Sequence, residues 1–318
     1  MLIRSRAPVR IDFAGGWTDV ALFAKSTPGF VINAAINIYS FATIHTTERR
    51  TDSSPLRHEK DLEDQHVSIY SSDFDVFVEA KDIRKLEYDG NVDLVKAAIR
   101  RMNVPGGFDM ITESVAPPGS GLGTSASMGV ALLGLLARYA KQDLLQYEIA
   151  ELASTIEREE LGILGGKQDH YASSMGDISF MEFRGEDVKA SRLILSRDTY
   201  LELEKNLVLC YTGKSRLSGD IHKNVTEAYK SGHKDTVDAI ESMKRLTLEM
   251  KCALMKGDLD AFGQLISENW RNQKRLHPSV TNADIDGLFG AAMNNGAVGG
   301  KACGAGGGGC LLFYCQSD

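Results

Sequence analysis

The stretch APPGSGLGTSASMGV at 116–130 sets Gly119, Gly121 and Gly123 just before two hydroxyls, Thr124 and Ser125, that open an apolar run. Glycines let a backbone approach an anion closely, and a helix start offers unpaired N–H groups at the positive end of its dipole. Such a segment is suited to cradling phosphate. It is not the common P-loop, because no lysine follows the last glycine at the required place, and GSGLGT lacks the spacing and the βαβ setting of a dinucleotide fingerprint. A second cluster, GGKACGAGGGGC at 299–310, places seven glycines between Gly299 and Gly309 and runs into the apolar CLLFYC. A linker can have that composition, but a segment leading into a buried strand is expected to curl against a ligand or a neighbouring glycine loop. The third feature is APVRIDFAGGWTD at 7–19, where Arg10 sits inside a strand pattern and Gly15–Gly16 lead to Trp17 and Asp19.

Elements must position these residues. β-Branched and aromatic residues predict strands at Leu2–Arg6, 9–13, Val31–His45, 66–70 and 108–113. From Ser125 the run SASMGVALLGLLARYA is apolar nearly all round, which predicts a helix buried on most faces. Tyr147–Glu160 carries Ile149, Leu152, Ala153 and Ile156 at helical spacing, a phase that puts Glu157 at the edge of the apolar stripe and Glu160 within it. Strands are expected at Ile178–Phe183 and Leu207–Tyr211, then helices near 219–231, 236–256, 259–275 and 282–295 before the last strand. Strands first, with helices mixed in and no regular alternation, predict an α+β fold. We place its two parts at 1–190 and 191–318, and read the polar stretch at 47–65 as a surface loop.

Composition excludes several classes of function. With 43% hydrophobic and 25% charged residues the chain is an ordinary globular one, neither disordered nor a disulfide scaffold. Thirty-six basic against forty-three acidic residues leave a net charge of -7, so no nucleic-acid or membrane partner is expected. No apolar run reaches a bilayer span, and MLIRSRAPVR has no apolar export core. Cys210, Cys252, Cys303, Cys310 and Cys315 form no CxxC or zinc-like spacing and read as buried or half-buried thiols of a reducing cytoplasm.

Taken together, PVRIDFAGGWTD, PPGSGLGTSAS and KACGAGGGGC resemble, in order, the three motifs of the GHMP kinases, the superfamily of galactokinase, homoserine kinase, mevalonate kinase and phosphomevalonate kinase. The resemblance implies an N-terminal half like ribosomal protein S5 domain 2 and a ferredoxin-like C-terminal half, with ATP and substrate between them. It implies that Pro118, Gly119, Ser120, Gly121, Leu122, Gly123, Thr124 and Ser125 bind ATP, with Thr124 where a serine is commoner. In EREELGILGGKQD at 157–169 a Glu precedes an Asp by twelve positions, as in the sugar-kinase members. Glu157 is then a Mg2+ ligand together with Ser125, Asp169 the catalytic carboxylate, and Arg10 its charge partner; the helical phase leaves Glu160 open as the metal ligand. Gly16, Trp17, Asp19, Gly306 and Gly307 would meet the sugar.

RIDFAGGWTD, NAAINIY, GGKQDHYAS and LCYTGKSRLSG look most like the bacterial heptose 7-phosphate kinases, whereas Trp17 is shared with fucokinases. The expected reaction is phosphorylation of the anomeric hydroxyl of a heptose 7-phosphate. A free hexose such as L-fucose is the rival, and a decarboxylase of mevalonate diphosphate and a non-catalytic sugar sensor are the more distant alternatives. A phosphorylated sugar needs cations, for which Lys167, Lys214 and Arg216 lie on motif-bearing loops. The partner is thus a small sugar or sugar phosphate, and a homodimer is compatible with the resemblance.

Overall fold

The computed structural model describes residues 1–46, 65–214 and 219–316, so Arg216 and nearly all of the polar stretch at 47–65 lie outside the described residues. In chain order come β1 (Leu2–Ala14), β2 (Gly29–His45), β3 (Val67–Ser71), β4 (Val76–Ala80), α1 (Asp93–Met102), β5 (Phe108–Ser114), α2 (Thr124–Tyr139), α3 (Gln146–Thr155), α4 (Gln168–Met175), β6 (Ile178–Arg184) and β7 (Asp187–Arg192). They are followed by α5 (Arg197–Asn206), β8 (Leu207–Tyr211), α6 (Gly219–Lys230), α7 (Lys234–Lys256), α8 (Leu259–Arg275), α9 (Ala283–Asn294), β9 (Ala297–Ala302) and β10 (Cys310–Cys315). This is the expected α+β architecture. A seven-stranded sheet runs β4-β3-β5-β2-β6-β7 with β1 against β2, and a three-stranded sheet runs β8-β10-β9.

The long strand β2 organises the larger sheet: β5 pairs with it along Ser40–His45 and β6 along Gly29–Ala34, while β1 pairs with it between Ile32 and His45. Over this sheet lies α2, which buries Ala126 to Leu133 and Leu135 to Ala137, as its all-round apolar sequence predicts. Leu132, Leu133, Leu135 and Leu136 are fully buried, each contributing about 2 kcal/mol from apolar burial. A second cluster joins β1, β6, α7, α8 and β10 around Phe13, Phe262 and Tyr314, so the two sheets share a core. Among the described residues no helix is long and apolar enough to cross a membrane.

Four departures from the sequence pattern have physical causes. First, Leu2–Arg6 and 9–13 are one strand rather than two, with its register broken between Pro8 and Arg10. A proline cannot donate to the ladder, and the bulge beside it lets the Arg10 N–H bond the Leu122 carbonyl at 3.0 Å instead. Second, the helix expected to run to Glu160 stops at Thr155, and Ile156–Glu160 form a π-helical turn. Third, β9 starts the glycine cluster by pairing with β10, and its glycines let it lie close on α8: at Gly299 a Cβ would stand 1.7 Å from the Gly263 carbonyl. Fourth, α1, β4, β7 and α5 were not anticipated; β4 and β7 are short strands with no buried residue. All five cysteines are free as expected, although Cys252 is exposed rather than buried.

Candidate active site

The bulge in β1 sends the Arg10 side chain between two loops. Its Nη1 donates to the Gly121 carbonyl at 2.6 Å, while Nε and Nη2 donate to Oδ1 and Oδ2 of Asp169, both at 2.7 Å. The guanidinium is almost fully buried; burial opposes its charge, but Asp169 and Asp12 outweigh it and raise the Arg10 pKa above its ordinary value. One charged group therefore joins the glycine loop to the first turn of α4. That proximity is tight: a Cβ at Gly123 would come within 3.0 Å of the Asp169 carboxylate.

Gly123 is also the N-cap of α2, in a left-handed conformation with no side-chain cap, so the helix start is left open beside Asp169. The second glycine cluster backs this loop, as one of its two expected roles required. The Ser120 carbonyl accepts from the Cys310 N–H at 2.8 Å. At Gly121, where φ is +75°, a Cβ would lie 2.6 Å from the Cys303 carbonyl. Beneath the second loop Lys301 and Asp12 form a wholly buried ion pair, and Asp12 also accepts from the Gly304 N–H at 3.0 Å.

Pro118, Gly119, Gly121, Gly123, Thr124 and Ser125 line one cavity of about 660 Å³ together with Arg10, Asp169, Glu157, Gly16, Trp17, Asp19 and Gly306. Ser120 and Leu122 are buried and do not line it, and Gly307 instead donates to the Val280 carbonyl at 2.7 Å. Glu157 reaches the cavity through the π-helical turn, beside the Ser125 hydroxyl in the same lining. Its Oε2 lies 2.6 Å from Nε2 of His170. Burial pushes the Glu157 pKa up, but His170 and Ser125 outweigh this and hold it below its ordinary value. Glu160, by contrast, pairs with Arg101 at 3.4 Å and is not part of the lining.

At the opposite end Asp19 is buried, accepting from the Gln168 N–H at 3.1 Å; burial first, and then Asp169, push its pKa up to about 6. Trp17 adopts φ +84° and packs against His222 with centroids 4.4 Å apart and the rings tilted by 39°, and burial pulls the His222 pKa down to about 4. Neither Lys167 nor Lys214 lines the cavity: Lys167 is held by Glu151 at 2.6 Å and by the Glu186 carbonyl at 2.9 Å, and Lys214 by Asp284. Sequence reasoning missed Arg158, His170 and His222, all of which line it, and the pocket formed by Ser71, Phe74, Asn91 and Thr112. His170, adjacent to Asp169, and Arg158, adjacent to Glu157, had a positional signal, and His222 had none.

A glycine-rich loop, a carboxylate locked to an arginine and a second carboxylate facing one cavity are the kinds of group that phosphoryl transfer requires. Models of the GHMP kinases N terminal domain and the GHMP kinases C terminal match residues 92–177 and 250–318. A D-glycero-alpha-D-manno-heptose 7-phosphate kinase of Campylobacter jejuni is 33% identical over 98% of this chain and 89% of its own length. A bifunctional fucokinase/GDP-fucose pyrophosphorylase of Arabidopsis thaliana is 29% identical over 97% of this chain but only 29% of its own. The crystal structure of a D-glycero-D-manno-heptose 1-phosphate kinase from Bacteroides thetaiotaomicron superposes with TM-score 0.78 at 30% identity, covering 99% of this chain and 89% of that one. The chain belongs to the GHMP kinases. It is an ATP-dependent phosphotransferase with an alcohol group as acceptor.

Proposed function

We propose that the enzyme transfers the γ-phosphoryl group of ATP to the anomeric hydroxyl of D-glycero-D-manno-heptose 7-phosphate, giving the 1,7-bisphosphate. The observation that carries this reading is the Arg10 guanidinium, bonded at once to the glycine loop at Gly121 and to both oxygens of Asp169. It holds a carboxylate beside the glycine loop, which supports a reading in which that loop binds phosphate and the carboxylate meets the attacking hydroxyl. The heptose-specific names of the curated relative and of the solved structure support the choice of sugar.

In this reading the backbone from Gly119 to Ser125 and the open start of α2 hold the triphosphate, and Arg10 keeps the loop and Asp169 in register. Asp169 accepts the hydrogen bond of the attacking hydroxyl, and Asp19 and Trp17 orient the sugar ring. Mg2+ fits the residues present: Ser125 and Glu157 offer two hard oxygens in the lining of one cavity, and Mg2+ takes few protein ligands, completing its shell with phosphate and water. It would neutralise charge on the transferring phosphoryl group. No group of three His, Cys, Asp or Glu side chains converges among the described residues, which is compatible with such a shared shell. The two parts at 1–190 and 191–318 then enclose the reactants, and the five free thiols support a cytoplasmic setting.

The test is turnover by the purified chain with ATP, Mg2+ and a panel of sugars, with the product anomer read by phosphorus NMR. Phosphorylation of the heptose 7-phosphate at carbon 1 is expected. Turnover of free L-fucose with none of the phosphorylated heptose overturns the choice of substrate.

A further inference from the structure

A sugar that already carries a phosphate needs a counter-charge remote from the transferring group, and the described lining of the cavity contains two arginines. Arg10 is committed to Asp169 and Gly121. Arg158 is the other, brought to the cavity beside Glu157 by the π-helical turn and lying within the field of Asp19 at the sugar end. Its Nη1 and Nη2 grip the Glu186 carboxylate at 2.9 and 3.1 Å. Glu186 comes from the turn between β6 and β7, and its Oε2 is also 3.3 Å from the Lys167 ammonium. An anion is thus already held by two cations, one of which, Arg158, lines the cavity. The Glu186 side chain is 59% exposed, so its carboxylate regains water when it swings away, and the two cations it leaves call for another anion. A guanidinium fork fits phosphate as well as carboxylate, and a phosphate monoester carries more charge than the carboxylate it would replace.

The geometry points to an anion subsite in which Arg158 and Lys167 hold the remote phosphate of the sugar substrate, at the place that the Glu186 carboxylate fills in the free enzyme. This rests on the reading of the acceptor as a sugar phosphate. Glu186 acts as a surrogate anion, swinging out to solvent as the substrate enters. Arg158 is then the residue that separates phosphorylated from free sugars, and Lys167 reaches the substrate through the same anion although it does not itself line the cavity.

The experiment compares kcat/KM for D-glycero-D-manno-heptose with and without its 7-phosphate in wild type, Arg158→Met and Glu186→Gln, with folding checked by thermal melting. Arg158→Met is expected to cut the wild-type preference for the phosphorylated sugar by roughly 10- to 100-fold, the loss of one or two charge-assisted contacts. Glu186→Gln, which removes the competing anion, is expected to raise that preference, and it decides the matter should Arg158→Met not fold. A wild type that prefers the phosphorylated sugar, with a preference undiminished in Arg158→Met or not raised in Glu186→Gln, overturns the subsite and leaves the substrate assignment standing. A wild type indifferent to the 7-phosphate overturns both.

Discussion

At one end of the cavity, contacts are made by backbone: the loop at 119–123 presses on Cys303, Gly304 and Gly309 at separations where a single Cβ would collide. At the other end they are made by side chains, with Asp19, Trp17, His222 and Arg158 facing the same space. The two constructions place different demands on sequence. Backbone packing accepts almost nothing but glycine, whereas a ring of side chains can be re-chosen while the scaffold stays. A fold can therefore keep one nucleotide end and vary the acceptor, and the difference between the ends can be put to measurement.

Asp169, which joins the two ends, should give the largest effect. Asp169→Asn is expected to lower kcat by about 10²- to 10⁴-fold, the usual worth of a group acting on the attacking hydroxyl. Nucleotide affinity by calorimetry should change little; an equally large loss of ATP binding would mean that the ends are not separable. Next, Lys301→Met strands Asp12 without its partner under the second glycine loop, at a cost of about 3–5 kcal/mol in urea unfolding. ATP affinity should fall with it, and a variant as stable as wild type would break the claim that the loop is held from below.

The acceptor end responds in the opposite sense. Asp19 carries a pKa of about 6 where burial has raised it from 3.8, so the folded state binds a proton that the unfolded chain has released. Its contribution to stability is present below about pH 4 and is lost as pH rises to about 6. Asp19→Asn removes that dependence and should stabilise the protein at pH 8 by about 2–3 kcal/mol, the worth of a shift of about two units, while raising KM for the sugar. A variant less stable at pH 8 would show that Asp19 is structural. The smallest effect belongs to Glu157→Gln, expected to raise the Mg2+ concentration for half-maximal rate by about 10- to 100-fold. Unchanged Mg2+ dependence would remove Glu157 from the metal.

The same contrast explains what the sequence disclosed. The glycine loops and Arg10 were legible because backbone contact leaves glycine in the text, and α2 because an all-round apolar run has one reading. Glu157 and Glu160 were not separable by helical phase, since the π-helical turn after Thr155 breaks the 3.6-residue period at the point where the argument needed it. Arg158 lay hidden for that reason too. Lys167 was noticed as a cation, but its partners Glu151 and Glu186 are brought to it by α3 and the β6–β7 turn, which no spacing reveals. The half-exposed strands β4 and β7 and the helix α1 escaped because short amphipathic segments resemble loops.

The bond from the Cys310 amide to the Ser120 carbonyl has a consequence for biosynthesis. During translation the loop at 119–125 emerges from the ribosome long before the segment that braces it. A nascent chain stopped short of residue 303 has its α2 and all seven strands of its larger sheet but no backing for that loop. ATP would then be a late folding partner, gripped only once β10 is in place, and a stalled chain would be no competitor for the cell's nucleotide pool.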